Sequence, residues 1–162
     1  MKTLIFCLLM FSYVETSNRT TNYLKPGGVS VLTVNPNASS IGWRAEKTTG
    51  KHNGTIKIRS GSLTFYCQQL AKGSIIIDMN SIVVSDLDMP DKQKLENNLK
   101  GDNFFDAGNY PTAKLDISSV DHRSEVAYHF VTVTGNLTLH GITKKVVFTA
   151  NVSKIADNKF SA

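Results

Sequence analysis

The chain has 162 residues and a mass of 17.8 kDa, the size of a single domain. Hydrophobic residues make up 41% and charged residues 19%, a mixture that supports a buried core and excludes a wholly disordered chain. Eighteen Lys and Arg against thirteen Asp and Glu give a net charge of +5, spread too thinly along the sequence to form a nucleic-acid footprint, so no nucleic-acid partner is expected.

Met1 and Lys2 lead into an apolar run from Leu4 to Val14, followed by polar Glu15, Thr16, Ser17 and Asn18. A short basic start, an apolar run of about a dozen residues and a small-residue exit describe a secretory signal peptide, placed at residues 1–17. An uncleaved N-terminal anchor is the alternative. The run is shorter than the ~20 residues of a spanning helix, so an integral membrane protein is not expected. Residues 18–27 read as a polar leader, and residues 28–162 as the folded domain. A periplasmic or secreted location follows. Removing residues 1–17 also removes Cys7, and a lone Cys67 can form neither an internal disulfide nor a cysteine metal cluster. Cys67 closes the alternation Leu63, Phe65, Cys67 and reads as a small core residue.

From Gly28 onward the dominant period is two, the signature of strands with one face toward a core. The runs are Val29 to Val34; Ile41, Trp43 and Ala45; Ile56 and Ile58; Leu63 and Phe65; and Ile75, Ile77 and Met79. Later come Leu115 and Ile117; Val126, Tyr128 and Phe130; Leu137 and Leu139; and Val146, Phe148, Ala150 and Val152. Asn35-Pro36-Asn37, His52-Asn53-Gly54, Ser60-Gly61 and Lys72-Gly73 read as turn punctuation between them, and Gly135 and Gly141 as bends or bulges. Asp88 to Gly101 breaks the pattern. Pro90 near its start, Lys100 at its end and Gly101 beyond are helix start and stop signals, and Leu95 and Leu99 would share one buried stripe. The adjacent aromatics Phe104 and Phe105 would both be buried only in a segment covered on two sides, such as one tucked into a barrel mouth. The expected fold is therefore all-β: an antiparallel lipocalin-like barrel of about eight strands with one short helix.

No nucleophile elbow, phosphate loop or dinucleotide glycine pattern is present, and the histidines at 52, 122, 129 and 140 lack metal-ligand spacing. His129 and His140 read as solvent-facing strand residues, His52 as a turn residue, Asp86 and Asp88 as groups at the helix start, and Lys144-Lys145 as a solvated edge device. No catalytic residue, metal or cofactor is expected.

Five segments carry a family resemblance. Ala38 to Trp43 resembles the second-strand motif of the YceI-like family, and Gly54 to Phe65 its next hairpin. Ile77-Asp78-Met79-Asn80-Ser81-Ile82 is similar to its I-D-x-x-S-I strand. Leu99 to Asp106 followed by Tyr110-Pro111 resembles its L-x-x-x-D-F-F-D-x-x-x-Y-P pattern, and Gly135 to Lys144 its G-x-L-T-x-x-G-x-T-K pattern. The segments lie in the family's order across residues 28–152. The family usually runs on to a further strand beyond the position of Phe160, so either the expected barrel is incompletely closed or the sequence is truncated before its last strand. The resemblance implies an exported barrel that encloses a long-chain isoprenoid or similar fatty amphiphile, with no enzyme activity. The lining residues expected from period two and the motifs together are Trp43, Phe65, Ile77, Met79, Phe104, Phe105, Tyr110, Leu137, Leu139 and Phe148. Two rivals remain: a filled barrel serving as a structural or interaction module, and an enzyme built on a polar cluster around His52. An unpaired terminal strand would also offer an edge to a second copy, giving a homodimer.

Overall fold

A computed structural model of the chain describes residues 10–11, 16–17, 28–47, 50–122, 130–156 and 159–161. Most of the expected signal peptide and leader lies outside the described residues, as do Val126, Tyr128 and His129. In chain order the strands are β1 (Met10–Phe11), β2 (Thr16–Ser17), β3 (Val29–Val34), β4 (Ser40–Lys47), β5 (Gly50–Tyr66) and β6 (Gln69–Val84). The helix α1 (Asp91–Lys100) follows. Then come β7 (Thr112–Asp121), β8 (Phe130–Leu139), β9 (Ile142–Asn151), β10 (Ser153–Ala156) and β11 (Lys159–Ser161).

One antiparallel sheet runs β4-β5-β6-β7-β8-β9, and β10 and β11 form a separate hairpin. β3 and β4 lie end to end along the same side of β5: Val29 to Thr33 pair with Tyr66 to Ser62, and Ser40 to Lys47 with Lys57 to Gly50. A one-turn 3-10 segment, Pro36–Ala38, joins them, with the Asn35 side chain accepting a hydrogen bond from the Asn37 N–H. Side chains from β3 through β8, with Leu99 of α1, make a single buried core. The sheet is therefore curled around its own inner face, as in a barrel, and β9 lies at its edge: among the described residues no hydrogen-bonded ladder joins β9 to β3 or β4.

Several expected turns are not turns. β5 runs unbroken through His52-Asn53-Gly54 and Ser60-Gly61, and β6 runs through Lys72-Gly73. The apparent break at Ser60 is a β-bulge: Ile58 pairs with Ile77 and Ser60 with Ile76, which leaves Arg59 as a surplus residue. The bulge shifts the pleat by one, so the buried set passes from Ile56 and Ile58 to Leu63 and Phe65 within one strand.

The β5–β6 hairpin closes instead at Cys67 and Gln68, both with positive φ (50° and 66°) as a two-residue turn demands. Cys67 is exposed there rather than buried in the core. His140 and Gly141 close the β8–β9 hairpin in the same way, with φ of 51° and 71°, so His140 is a turn residue and not a strand residue. On β8 the buried set is Val131 and Val133, and Phe130 faces out, in the opposite phase to that expected.

Candidate functional site

The site begins with a second, larger irregularity. Thr55 pairs with Val83 and Lys57 with Asp78, so Met79, Asn80, Ser81 and Ile82 all stand opposite Ile56 alone. The excursion is stitched by its own side chains. The Ser81 hydroxyl donates to the Asp78 carbonyl at 2.6 Å and accepts from the Lys57 N–H at 2.7 Å, taking the place of a missing backbone partner. The Asp78 carboxylate accepts from the Asn80 N–H at 3.0 Å. Asp78 and Ser81 of the I-D-x-x-S-I segment are thus the residues that hold the bulge. Its product is two inward apolar side chains, Met79 and Ile82, where regular alternation would allow one of that pair.

Across β5, Gly54 pairs with Trp43. A Cβ at Gly54 would meet the Val83 carbonyl oxygen and the Trp43 indole, so this glycine exists to let β6 and the ring approach the strand closely. The indole Nε1–H donates to the Thr55 carbonyl at 3.3 Å, which leaves the ring's carbon face toward the interior. α1 then covers this region. It starts without a side-chain cap at Pro90, ends with the Gly101 N–H donating to the Asn97 and Asn98 carbonyls, and buries Leu99 with Leu95 packed beside it. A carboxylate ties the helix to the sheet: Glu96 Oε1 accepts from the Val84 N–H at 2.9 Å. The turn after the helix folds back on it. The Phe105 N–H donates to the Leu99 carbonyl and the Ala107 N–H to the Lys100 carbonyl. Phe104 and Phe105 are consequently in a turn rather than an extended segment, and both reach the core.

These elements enclose a cavity of about 30 Å³ lined by Trp43, Ile56, Ile77, Met79, Ile82, Leu99, Phe105, Ala113, Leu137 and Leu139. Six of the ten expected lining residues are among them: Trp43, Ile77, Met79, Phe105, Leu137 and Leu139. The other four lie elsewhere. Phe65 is fully buried in the core, Phe104 and Phe148 pack against it, and Tyr110 is half-exposed with its ring edge-on to His140. Ile56 and Ala113 belong to alternations that period two reveals, whereas Ile82 and Leu99 enter only through the bulge and the helix. The volume holds one or two waters, against the ~300–1,000 Å³ of ordinary ligand pockets.

Polar groups cluster elsewhere. Asp86 does not cap α1. One of its oxygens accepts from the Asn53 N–H and the other lies 3.1 Å from His52 Nδ1, which ties β5 to the segment entering the helix. Partial burial pushes the Asp86 carboxyl up, but the Asn53 and His52 hydrogen bonds outweigh it and hold it below the usual carboxylate range. The Lys114 ammonium, 2.9 Å away, does the same for Asp116 on β7. His52, Asn53 and Asp86 do not line the cavity. Among the described residues no group of three or more His, Cys, Asp or Glu is placed to hold a metal ion, and no helix is long and apolar enough to cross a membrane.

Comparisons with known proteins bear on the same residues. A family model described as YceI-like domain matches residues 32–162. The UPF0312 protein plu2095 of Photorhabdus laumondii is 31% identical over 99 residues, which cover 61% of this chain and 47% of that relative, so the chain spans about half of the relative's length. A Campylobacter jejuni YCEI protein crystal structure is 25% identical, with a TM-score of 0.43 over 54% of this chain and 46% of that one. Burkholderia cenocepacia BcnA is 17% identical, with a TM-score of 0.44 over 89% of this chain and 69% of that one.

Proposed function

From the premise that the chain belongs to the YceI-like family, we propose that it binds a long-chain isoprenoid or similar fatty amphiphile inside its barrel, without catalysis. The observation that carries the reading is the lining: ten apolar residues and no charged one, gathered from five strands, the helix and the turn after it. Each methylene moved from water into such a lining contributes ~0.8 kcal/mol, so affinity requires chain length and no reactive group. At about 30 Å³ the cavity is a starting point for a tail rather than a finished tunnel. Leu99 and Phe105, which line the cavity, belong to the unit held down by the Glu96 contact to Val84 and the Asn80 Nδ2–H contact to the Ala107 carbonyl. Family members of this type are typically periplasmic, and an exported carrier is the setting we infer.

A second reading is favoured by the same volume. A core this nearly filled also suits a barrel that presents its surface to a partner and holds no small molecule. Native mass spectrometry and organic extraction of the purified chain decide between them. A co-purifying isoprenoid or fatty amphiphile, or stoichiometric uptake of added farnesol, is the expected result. Failure of both would leave the interaction module standing.

A further inference from the structure

We infer that the tip of the β8–β9 hairpin is a membrane-docking element, and that its partner is the surface of a bilayer rich in anionic lipids. The inference goes beyond the proposed binding function and holds whatever the cavity contains.

The tip combines an apolar point with a fringe of free charge. His140 and Gly141 close the hairpin, and every residue from Gly141 to Lys145 is exposed, Ile142 at 61%. A single exposed isoleucine is ordinary, but this one has an aromatic neighbour. The Tyr110 ring lies so close to Gly141 that a Cβ there would meet it at 3.0 Å, and it stands edge-on to His140 with ring centroids 4.8 Å apart. Tyr110 is itself 40% exposed. An aliphatic and an aromatic side chain from separate segments therefore stand at the same hairpin end. Tyrosine, with an apolar body and a polar tip, suits the boundary between water and hydrocarbon.

Lys144 and Lys145 follow Ile142 along β9, ~7–10 Å behind it at the rise of a strand. Successive strand residues point to opposite faces, so the two ammonium groups flank the hairpin on both sides. That spacing suits an interface: Ile142 reaches the boundary of headgroups and acyl chains, while the lysines stay among the headgroups on their flexible stems. β8 and β9 contain no Asp or Glu. Among the described residues the ion pairs are those of Arg44 and Lys51 with Glu46, His52 with Asp86, and Lys114 with Asp116, so neither tip lysine is neutralised by a carboxylate. Asp116 is in register with Lys145 two strands away, but Lys114 already holds it at 2.9 Å. Free positive charge around an apolar point matches an anionic bilayer; a nucleic acid would match the charge and offer no apolar interior. The opposite end of the barrel supplies the contrast. Its β5–β6 turn also exposes an aromatic, Tyr66, but no Lys or Arg lies between Ser60 and Ala71. Docking by the β8–β9 tip would set the cavity end toward the bilayer, since Leu139, next to His140, lines the cavity.

The test is co-sedimentation of the purified full chain with vesicles of mixed phosphatidylglycerol and phosphatidylcholine, and with vesicles of phosphatidylcholine alone, at low and high salt. The apolar run from Leu4 to Val14 is common to every variant, so the comparison among variants reads the tip. The wild type should prefer the anionic vesicles by about tenfold or more and lose that preference at high salt. Lys144→Gln together with Lys145→Gln should abolish the preference, and Ile142→Ser should weaken binding to anionic vesicles by about tenfold. Lys57→Gln together with Lys72→Gln makes the same change of charge at exposed positions away from the tip and should leave both properties intact. Equal binding of the wild type to the two vesicles overturns the inference. An equal loss in the Lys57 and Lys72 variant reduces the effect to bulk charge and also overturns it, as does unaltered binding by Ile142→Ser, which leaves attraction without docking. A dimer that Ile142→Ser dissolves, with no vesicle preference in the wild type, assigns the tip to a second copy instead. Farnesol uptake is a separate readout: its failure removes the proposed function and leaves this inference standing.

Discussion

The interior has two halves that share the β5–β6 ribbon and differ in what fills them. Around Phe65, the half built from Leu32, Val34, Leu63, Leu70, Ile75 and Val133 is fully buried, and Phe65 itself is 0% exposed. Under α1, the half that holds Trp43, Met79, Ile82 and Leu99 keeps a cavity. The apolar character is the same in both; the covering differs. The first half is walled by paired strands, which fix side chains in register. The second is closed by a helix and a turn that pack Leu99 and Phe105 onto the sheet and are tied to it by the Glu96–Val84 and Asn80–Ala107 hydrogen bonds. Fold stability should therefore reside mainly in the first half and ligand response in the second.

The hardest test of this division is Phe65→Ala. It should destabilise the fold by about 3–5 kcal/mol, read as a lower urea midpoint, while the fraction still folded binds farnesol as the wild type does. Equal damage to binding would mean that the halves are not separable. Ala113→Leu addresses the other half. The added carbons should occupy the cavity, cost about 1–3 kcal/mol in overpacking and remove prenyl uptake in calorimetry. Glu96→Ala strips the Val84 N–H of its acceptor. We expect a loss of about 1–2 kcal/mol, with faster amide exchange confined to α1 and its following turn. The smallest effect belongs to Asp86→Asn, about 0.5 kcal/mol or less, because the group is largely solvated. Its value is in the pH profile. The folded-state carboxyl lies below its ordinary value, so its contribution is present above the unfolded pKa of about 3.9 and is lost as pH falls through the lowered one. The variant should lack that part of the acid slope in denaturation midpoints measured between neutral and strongly acidic pH.

The strand content, the single helix and the family motifs were legible because they depend on local pattern. Period two marked β4, the inward residues of β7 and most of the cavity wall, and Pro90 with Gly101 bounded the helix to within two or three residues. What was not legible depends on pairing. A bulge shifts the alternation by one and reads as a turn, so β5 looked like two strands. The true turn, Cys67 and Gln68, contains neither Gly nor Asn, the residues that ordinarily advertise positive φ. His52 and Asp86 are 34 residues apart, and nothing local to either announces the other.

The surplus residue in β5 has one more consequence. Excising Arg59 would leave Ile56 and Ile58 pointing where they do now, and would bring Leu63 and Phe65 into simple alternation with them. Every greasy side chain would keep its direction, yet the ribbon would lose the flexure that a bulge imparts. Such a shortened chain would isolate curvature from composition: the same inward surface on a flatter wall, with less to wrap around.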